Sequence, residues 1–230
     1  MAAIADNLQA VKKRIERAAT AAGREPATVT LLAVSKTHGA DRVLEAAAAG
    51  QRAFGENYVQ EALDKMDAAT GAAQGLEWHL IGPLQSNKTR LAAERFDWVH
   101  TVASEKIARR LSEQRPSGLP PLNLLIQVNA SGEASKSGVA PAAAAALASA
   151  IASMKNTRLR GVMAIPEPGA PRERYREVKD LYEKMKVQFG FDTLSMGMSD
   201  DMDLAIAEGA TLVRIGTAIF GQRQKHQSAA

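Results

Sequence analysis

Lys36 ends an uninterrupted apolar run, Val29-Thr30-Leu31-Leu32-Ala33-Val34-Ser35, and polar residues follow it. A run of that kind is what a parallel strand buried on both faces requires. A lysine at its carboxyl end keeps its stem in the core and presents its amine at the mouth of a sheet. Desolvation there lowers the ammonium pKa and leaves a nucleophilic amine able to condense with a carbonyl. The plainer alternative is a strand-end lysine that snorkels to water. Two further segments, Ser195-Met196-Gly197-Met198-Ser199 and Arg214-Ile215-Gly216-Thr217, combine glycines with hydroxyls. Glycines let backbone N–H groups approach an oxyanion, hydroxyls donate, and a helix start favours the anion. Taken singly, Ser199 is also a good N-cap for a helix over Asp200–Glu208, and Gly197 a plain turn residue.

The elements that must bring these residues together can be read from periodicity. Residues 4–22 carry Leu8, Val11 and Ile15 at helical spacing up to Gly23. After Lys36 come a helix over Asp41–Ala49, a short strand over Arg52–Phe54, the polar turn Gly55-Glu56-Asn57, and a helix to Asp67. Strands follow at Leu76–Ile81, Trp98–Val102, Leu122–Val128, Leu159–Ile165, Thr193–Met196 and Thr211–Ile215, with helical sequence between them. Ser104 reads as an N-cap for the helix to Gln114. Eight strand–helix units imply parallel strands and a single (β/α)8 TIM barrel of the α/β class with an extra N-terminal helix. An open doubly wound sheet is the alternative, but no strand is followed by a G-x-G-x-x-G. Residues 1–230 are expected to form one domain, with residues 1–23 as a helix packed on the barrel and residues 222–230 as a flexible tail.

In such a barrel the strand carboxyl ends and the loops after them build the site, and phosphate frequently sits at the loops after strands seven and eight. Those are the two glycine–hydroxyl segments. A Schiff-base lysine on strand one facing a phosphate cup suits pyridoxal phosphate or a phosphorylated aldol substrate. Arg214 either binds the phosphate or lies in the mouth facing a ring. A guanidinium that stays protonated cannot give a pyridine nitrogen a proton, so a ring held there is a weak electron sink.

Composition narrows the function classes. The net charge is +4 and the pI near 9.4, but basic residues alternate with acids, as in Arg172-Glu173-Arg174-Tyr175-Arg176-Glu177. Solvated helix faces look like that, and with 4% aromatic residues there are few platforms for stacking bases. No nucleic-acid partner is expected. The chain has no cysteine, and its longest apolar run, Val139 to Met154, is short for a membrane span. We expect a cytoplasmic protein with no membrane partner. Four histidines without a metal-ligand spacing predict no metal. His79 and His100 read as structural or pocket-lining, and Lys136 as a solvated loop lysine.

Several motifs together resemble the pyridoxal phosphate homeostasis family, whose members are small barrels of the alanine-racemase-like, type III pyridoxal phosphate fold. They include Leu32-Ala33-Val34-Ser35-Lys36-Thr37, Phe54-Gly55-Glu56-Asn57-Tyr58, His79-Leu80-Ile81-Gly82-Pro83, Lys136-Ser137-Gly138, Ser195-Met196-Gly197-Met198-Ser199-Asp200-Asp201 and Val213-Arg214-Ile215-Gly216-Thr217. The resemblance implies Lys36 as the lysine of a covalent aldimine with pyridoxal 5′-phosphate. It implies Ser195, Gly197, Ser199, Gly216 and Thr217 around the phosphate, Arg214 near the pyridine nitrogen, and Asn57 and Met163 lining the ring pocket. It also implies a carrier that buffers the cofactor, possessing no established catalysis and handing it to pyridoxal phosphate-dependent client enzymes. A weak enzyme such as an amino-acid racemase is the alternative. Racemases of this fold add a second β-domain and a tyrosine from the partner subunit. Here the barrel ends near Gly221, and Tyr58, Tyr175 and Tyr182 offer no obvious second base. A monomer is expected on the same ground.

Overall fold

The computed structural model describes residues 3–131 and 137–222. Lys136, and all of the expected tail except Gln222, lie outside the described residues. Eight parallel strands close into a barrel in sequence order: β1 Thr30–Val34, β2 Ala53–Glu56, β3 Glu77–Leu80, β4 Trp98–Val102, β5 Leu122–Val128, β6 Thr157–Ala164, β7 Thr193–Ser195 and β8 Leu212–Ile215. The register Thr30↔Leu212 through Ala33↔Ile215 shuts the ring between β1 and β8. Around it run α1 Ile4–Ala21, α2 Ala40–Ala48, α3 Val59–Ala69, α4 Thr89–Arg95, α5 Glu105–Gln114, α6 Pro141–Ala152, α7 Arg172–Phe189, α8 Met202–Ala207 and α9 Thr217–Phe220. Ser104 caps α5, its Oγ accepting from the Ile107 N–H. The α/β class and the closed (β/α)8 topology agree with the strand rhythm of the sequence.

Alternation along each strand divides two cores. Leu32, Ala53 and Leu212 meet inside the barrel, as do Trp98, Leu125 and Met163. The residues between them, such as Ala33, Phe54, Val99, Leu124, Ile126 and Val213, join the larger core between sheet and helices. Helix α1 buries Ile4, Leu8, Val11, Ile15 and Ala19, the i, i+3/i+4 stripe that made it legible. Each of its large aliphatic side chains contributes about 1.5–3 kcal/mol by leaving water.

Three departures from expectation have a local reason. Strand β2 runs on through Gly55 and Glu56, which the sequence placed in a turn. Glu56 stays in the strand because its parity points it out of the barrel onto a buried lysine of α3. Helix α8 starts at Met202, and Ser199 and Asp200 lie in the turn before it, so Ser199 is not its N-cap. The four-residue helix α9, opened by Thr217, was not anticipated; it is too short to show a period.

Candidate functional site at the carboxyl mouth of the barrel

Strand β1 stops at Val34, so Lys36 stands two residues beyond it in a tight turn, half-buried. Its neighbours hold that turn with care. Ser35 is wholly buried and its Oγ donates to Glu56 Oε1 at 2.6 Å. The Lys65 ammonium, from α3, donates to the Ser35 carbonyl at 2.8 Å, to Glu56 Oε1 at 2.7 Å and to Glu61 Oε1 at 2.6 Å. Glu61 in turn accepts the Thr37 N–H, and Thr37 adopts a left-handed φ of 68°. A side chain with a Cβ pays strain in that region unless its surroundings over-determine it. Burial raises the Glu56 carboxyl pKa, against the opposing pull of Lys65 and Ser35.

The register of β1 against β8 sets Gly216 beside Val34: a Cβ on Gly216 would lie 3.1 Å from the Val34 carbonyl oxygen. The expected anion loop of β8, Gly216-Thr217, therefore opens next to the Lys36 turn, with Thr217 exposed at the start of α9. The loop after β7 is shaped by Gly197. Its φ is 94°, and a Cβ there would come 2.5 Å from Ala205 Cβ. Asp201 ties the loop down, accepting the Met198 N–H at 2.6 Å on one oxygen and the Tyr175 hydroxyl at 2.6 Å on the other. From outside, Arg14 of α1 donates to the Ser199 carbonyl at 2.8 Å and pairs with Asp203 at 2.9 Å. Asn7 of the same helix donates to the Ile219 carbonyl at 2.8 Å. The N-terminal helix thus braces both loops.

Below them, Arg214 projects from β8 into the barrel and is buried. Its Nη1 donates to Ser195 Oγ at 2.8 Å and its Nη2 to the Ala164 carbonyl at 3.0 Å. Neither partner is a carboxylate, and burial lowers its pKa to about 10. Ser195, expected beside a phosphate, is wholly buried one level down, with its hydroxyl also 3.3 Å from His100 Nδ1. A polar chain continues from there: His100 Nε2 lies 2.9 Å from His79 Nδ1, and His79 Nε2 lies 2.7 Å from Glu77 Oε1. Both histidines face the interior. Burial, helped by the neighbouring His79 and the Arg214 guanidinium, drives the His100 pKa well below the ordinary histidine value. The hydrogen bond from His79 lowers the Glu77 pKa, although partial burial works against it.

Met163 is buried with Trp98 and Leu125, opposite Ser195 in the β6–β7 register, and so lies in the barrel floor under the mouth. Asn57 follows β2, half-buried, with its backbone pressed against Gly82, where a Cβ would fall 2.1 Å from the Asn57 carbonyl oxygen. It borders a cleft of about 290 Å³ shared with Ile81, Thr101, Gln127, Asn129 and Ile165. Of the residues singled out from the sequence, Lys36, Gly197, Ser199, Gly216 and Thr217 line the loops after β1, β7 and β8. Arg214, Ser195 and Met163 lie beneath them, and Asn57 flanks them. Glu56, expected in the turn after the second strand, lies within β2 and faces away from the mouth.

Sequence reasoning missed the supports: Asn7, Arg14, Glu61, Lys65, Glu77 and Asp201. Glu61 and Lys65 form an i,i+4 pair on α3, a legible signal, but nothing in the chain announces that it is buried. Tyr175 and Tyr182 belong to the outer core, and Tyr58, just before α3, is 60% exposed. Burial pushes the Tyr182 pKa up to about 12. Among the described residues there is no group of three or more potential metal-binding side chains, and no helix is long and apolar enough to cross a membrane.

Residues 6–224 match the family model described as "Alanine racemase, N-terminal domain". The "Pyridoxal phosphate homeostasis protein" of Pseudomonas aeruginosa is 60% identical over 227 residues, covering 97% of each chain. The chain belongs to the pyridoxal phosphate homeostasis family. The protein of that name from Escherichia coli K12 is 55% identical, over 96% of this chain and 97% of the relative. PipY of Synechococcus elongatus, in a structure described as having pyridoxal phosphate bound, superposes with a TM-score of 0.82 at 37% identity, covering 95% of this chain and 100% of that one. An alanine racemase of Clostridium difficile shares the fold at 14% identity and a TM-score of 0.70, this chain matching 58% of its length. The family's sequence resemblance and the barrel architecture thus agree across nearly the whole chain.

Proposed function

We propose that this chain binds pyridoxal 5′-phosphate at the carboxyl mouth and carries or buffers it, through a reversible Schiff base of Lys36. The observation that carries the reading is the convergence of three features at one seam of the barrel. The Lys36 turn sits against Gly216-Thr217, the glycine-shaped loop after β7 is adjacent, and Arg214 is buried below without a carboxylate partner. The Arg214 guanidinium has N–H donors beyond those used on Ser195 and Ala164, and a cradle built around Gly197 and Gly216 suits a phosphate. These residues fit the cofactor. When bound, it supplies an aldehyde that an amine can capture and later release.

The chain's own groups would divide the work. Lys36 offers the amine, and the Lys65–Glu56–Glu61 cluster fixes the turn that presents it. Backbone N–H groups at Gly197–Ser199 and Gly216–Thr217, with the Ser199 and Thr217 hydroxyls, would hold the phosphate, Arg14 and Asn7 bracing those loops. Asn57 and Met163 would bound the ring. Arg214, a donor only, would leave a pyridine nitrogen unprotonated and so restrain carbanion chemistry. Tyr175 and Tyr182 lie outside the barrel and Tyr58 faces solvent, which favours a carrier over a two-base racemase. Donation of the cofactor to client enzymes, a monomeric state and a cytoplasmic location belong to the same reading.

The visible spectrum of the purified protein beside Lys36→Ala, before and after borohydride, tests it. A yellow band that requires Lys36 and is fixed by reduction is the expected result. A protein that stays colourless after pyridoxal phosphate is added overturns the reading and favours a cofactor-free Schiff-base aldolase. Turnover of an amino acid by the coloured protein would instead favour the racemase alternative.

A further inference from the structure

The polar chain inside the barrel has a single hydrogen-bond direction if both of its imidazoles are neutral. Arginine only donates, so Ser195 Oγ accepts from Arg214 Nη1 at 2.8 Å and keeps its own hydrogen for another partner. In the order with neutral rings, His100 Nδ1, 3.3 Å away, receives it. A neutral imidazole that accepts at Nδ1 carries its proton on Nε2, so His100 donates across 2.9 Å to His79 Nδ1. By the same rule His79 carries its proton on Nε2 and donates across 2.7 Å to Glu77 Oε1. This order satisfies every contact with two neutral rings. A doubly protonated His100 would offer Ser195 a second donor and leave the hydroxyl hydrogen without an acceptor in the chain.

The chain also has two ends. Arg214 lies under the carboxyl mouth. Glu77 begins β3 at the opposite mouth, where a cavity of about 260 Å³ is bordered by Thr30, Arg160, Asp192 and Thr211 as well as by Glu77 and His79. Trp98 stacks on His79, with ring centres 5.2 Å apart and planes 8° from parallel, which fixes the imidazole plane.

We infer that Glu77, His79 and His100 are positioning residues for Arg214: their ordered chain, anchored at the far mouth, locks the Ser195 lone pair onto Nη1 and so orients the guanidinium toward a ligand that accepts hydrogen bonds. The ligand class is a heteroaromatic ring with an unprotonated nitrogen. The inference rests on the pyridoxal phosphate reading for the identity of that ring, and not for the order of the chain.

Two measurements test it. In the cofactor-free protein, nitrogen-resolved NMR of the imidazoles should find both His79 and His100 neutral at neutral pH with the proton on Nε2. A charged ring, or a proton on Nδ1 of either, overturns the inference whether or not the protein binds pyridoxal phosphate. In titrations with pyridoxal phosphate, His100→Leu should raise the dissociation constant roughly tenfold, the loss of one hydrogen bond to a charged partner, and shift the bound absorption band. His100→Gln, whose amide both accepts and donates, should restore both. Equal effects of the two variants, or no effect of either, would also overturn it. A wild-type protein that binds no pyridoxal phosphate would instead defeat the functional reading, leaving the NMR result to decide the chain.

Discussion

The Lys65 ammonium lies 2.7 Å from Glu56 Oε1 with both side chains buried, directly beneath the turn that carries Lys36. One cation thereby neutralises a carboxylate, holds the Ser35 carbonyl and engages Glu61, which holds the Thr37 N–H. The geometry of the Lys36 turn is thus set by a second lysine.

Removing that cation should therefore cost stability and presentation together. Lys65→Met leaves Glu56 buried and unpaired, a loss of about 3–5 kcal/mol, read by urea unfolding. Lys65→Met with Glu56→Leu should recover most of it, since an apolar pair can replace a buried ion pair. Recovered stability with pyridoxal phosphate binding still impaired would separate the fold from the turn; full recovery of both would deny the cluster its positioning role.

Gly197 should tolerate no side chain. Gly197→Ala combines a left-handed φ with a clash against Ala205 Cβ and is expected to destabilise by about 1–3 kcal/mol. Adding Ala205→Gly removes the clash and leaves the backbone strain, so thermal stability should return in part. A thermal midpoint for Gly197→Ala equal to wild type would refute this account of the loop.

Arg14 is half-exposed and its pair with Asp203 is of the surface kind. Arg14→Ala should change stability by no more than about 1 kcal/mol, yet weaken pyridoxal phosphate binding severalfold through the Ser199 carbonyl it no longer holds. Leu8→Ala, by contrast, empties a wholly buried site on the same helix and should cost about 2–5 kcal/mol. Equal binding by Arg14→Ala and wild type would argue against bracing by α1.

The pH dependence has a definite sign. His100 is held below its ordinary value, so the unfolded chain binds a proton that the folded one refuses. Its contribution to stability is complete above the ordinary histidine pKa, about 6.5, and is lost as pH falls below it. The slope is at most about 1.4 kcal/mol per pH unit for one group. Chemical denaturation from neutral pH downward should show it, and His100→Gln should flatten the curve in that window. Glu77, also depressed, adds a loss of the same sign at lower pH.

The sequence made the barrel legible because its signals are local and repeated. The runs Trp98–Val102 and Leu122–Val128 coincide with β4 and β5, and α1 declared its buried stripe. The mouth was legible where one residue type admits few uses, as with Lys36 after an apolar run or glycine beside hydroxyls. Depth was not. That Ser195 sits below the loop and Glu56 turns outward follows from strand parity, and ending β2 two residues early, at Phe54, was enough to hide which way Glu56 points. The supports were hidden for another reason: Arg14 meets Ser199 across 185 residues, and no periodicity reports a partner that distant.

The brace by α1 also sets an order of assembly. Asn7 and Ile219 meet across 212 residues, so α1 fastens elements that are synthesised long after it. Contacts of such separation are formed late and slowly. Until β8 and α9 have been made, α1 has no seat on them and the loops after β7 and β8 have no outer brace. On the proposed reading, the mouth of the barrel is thus braced only once α1 has met β8 and α9.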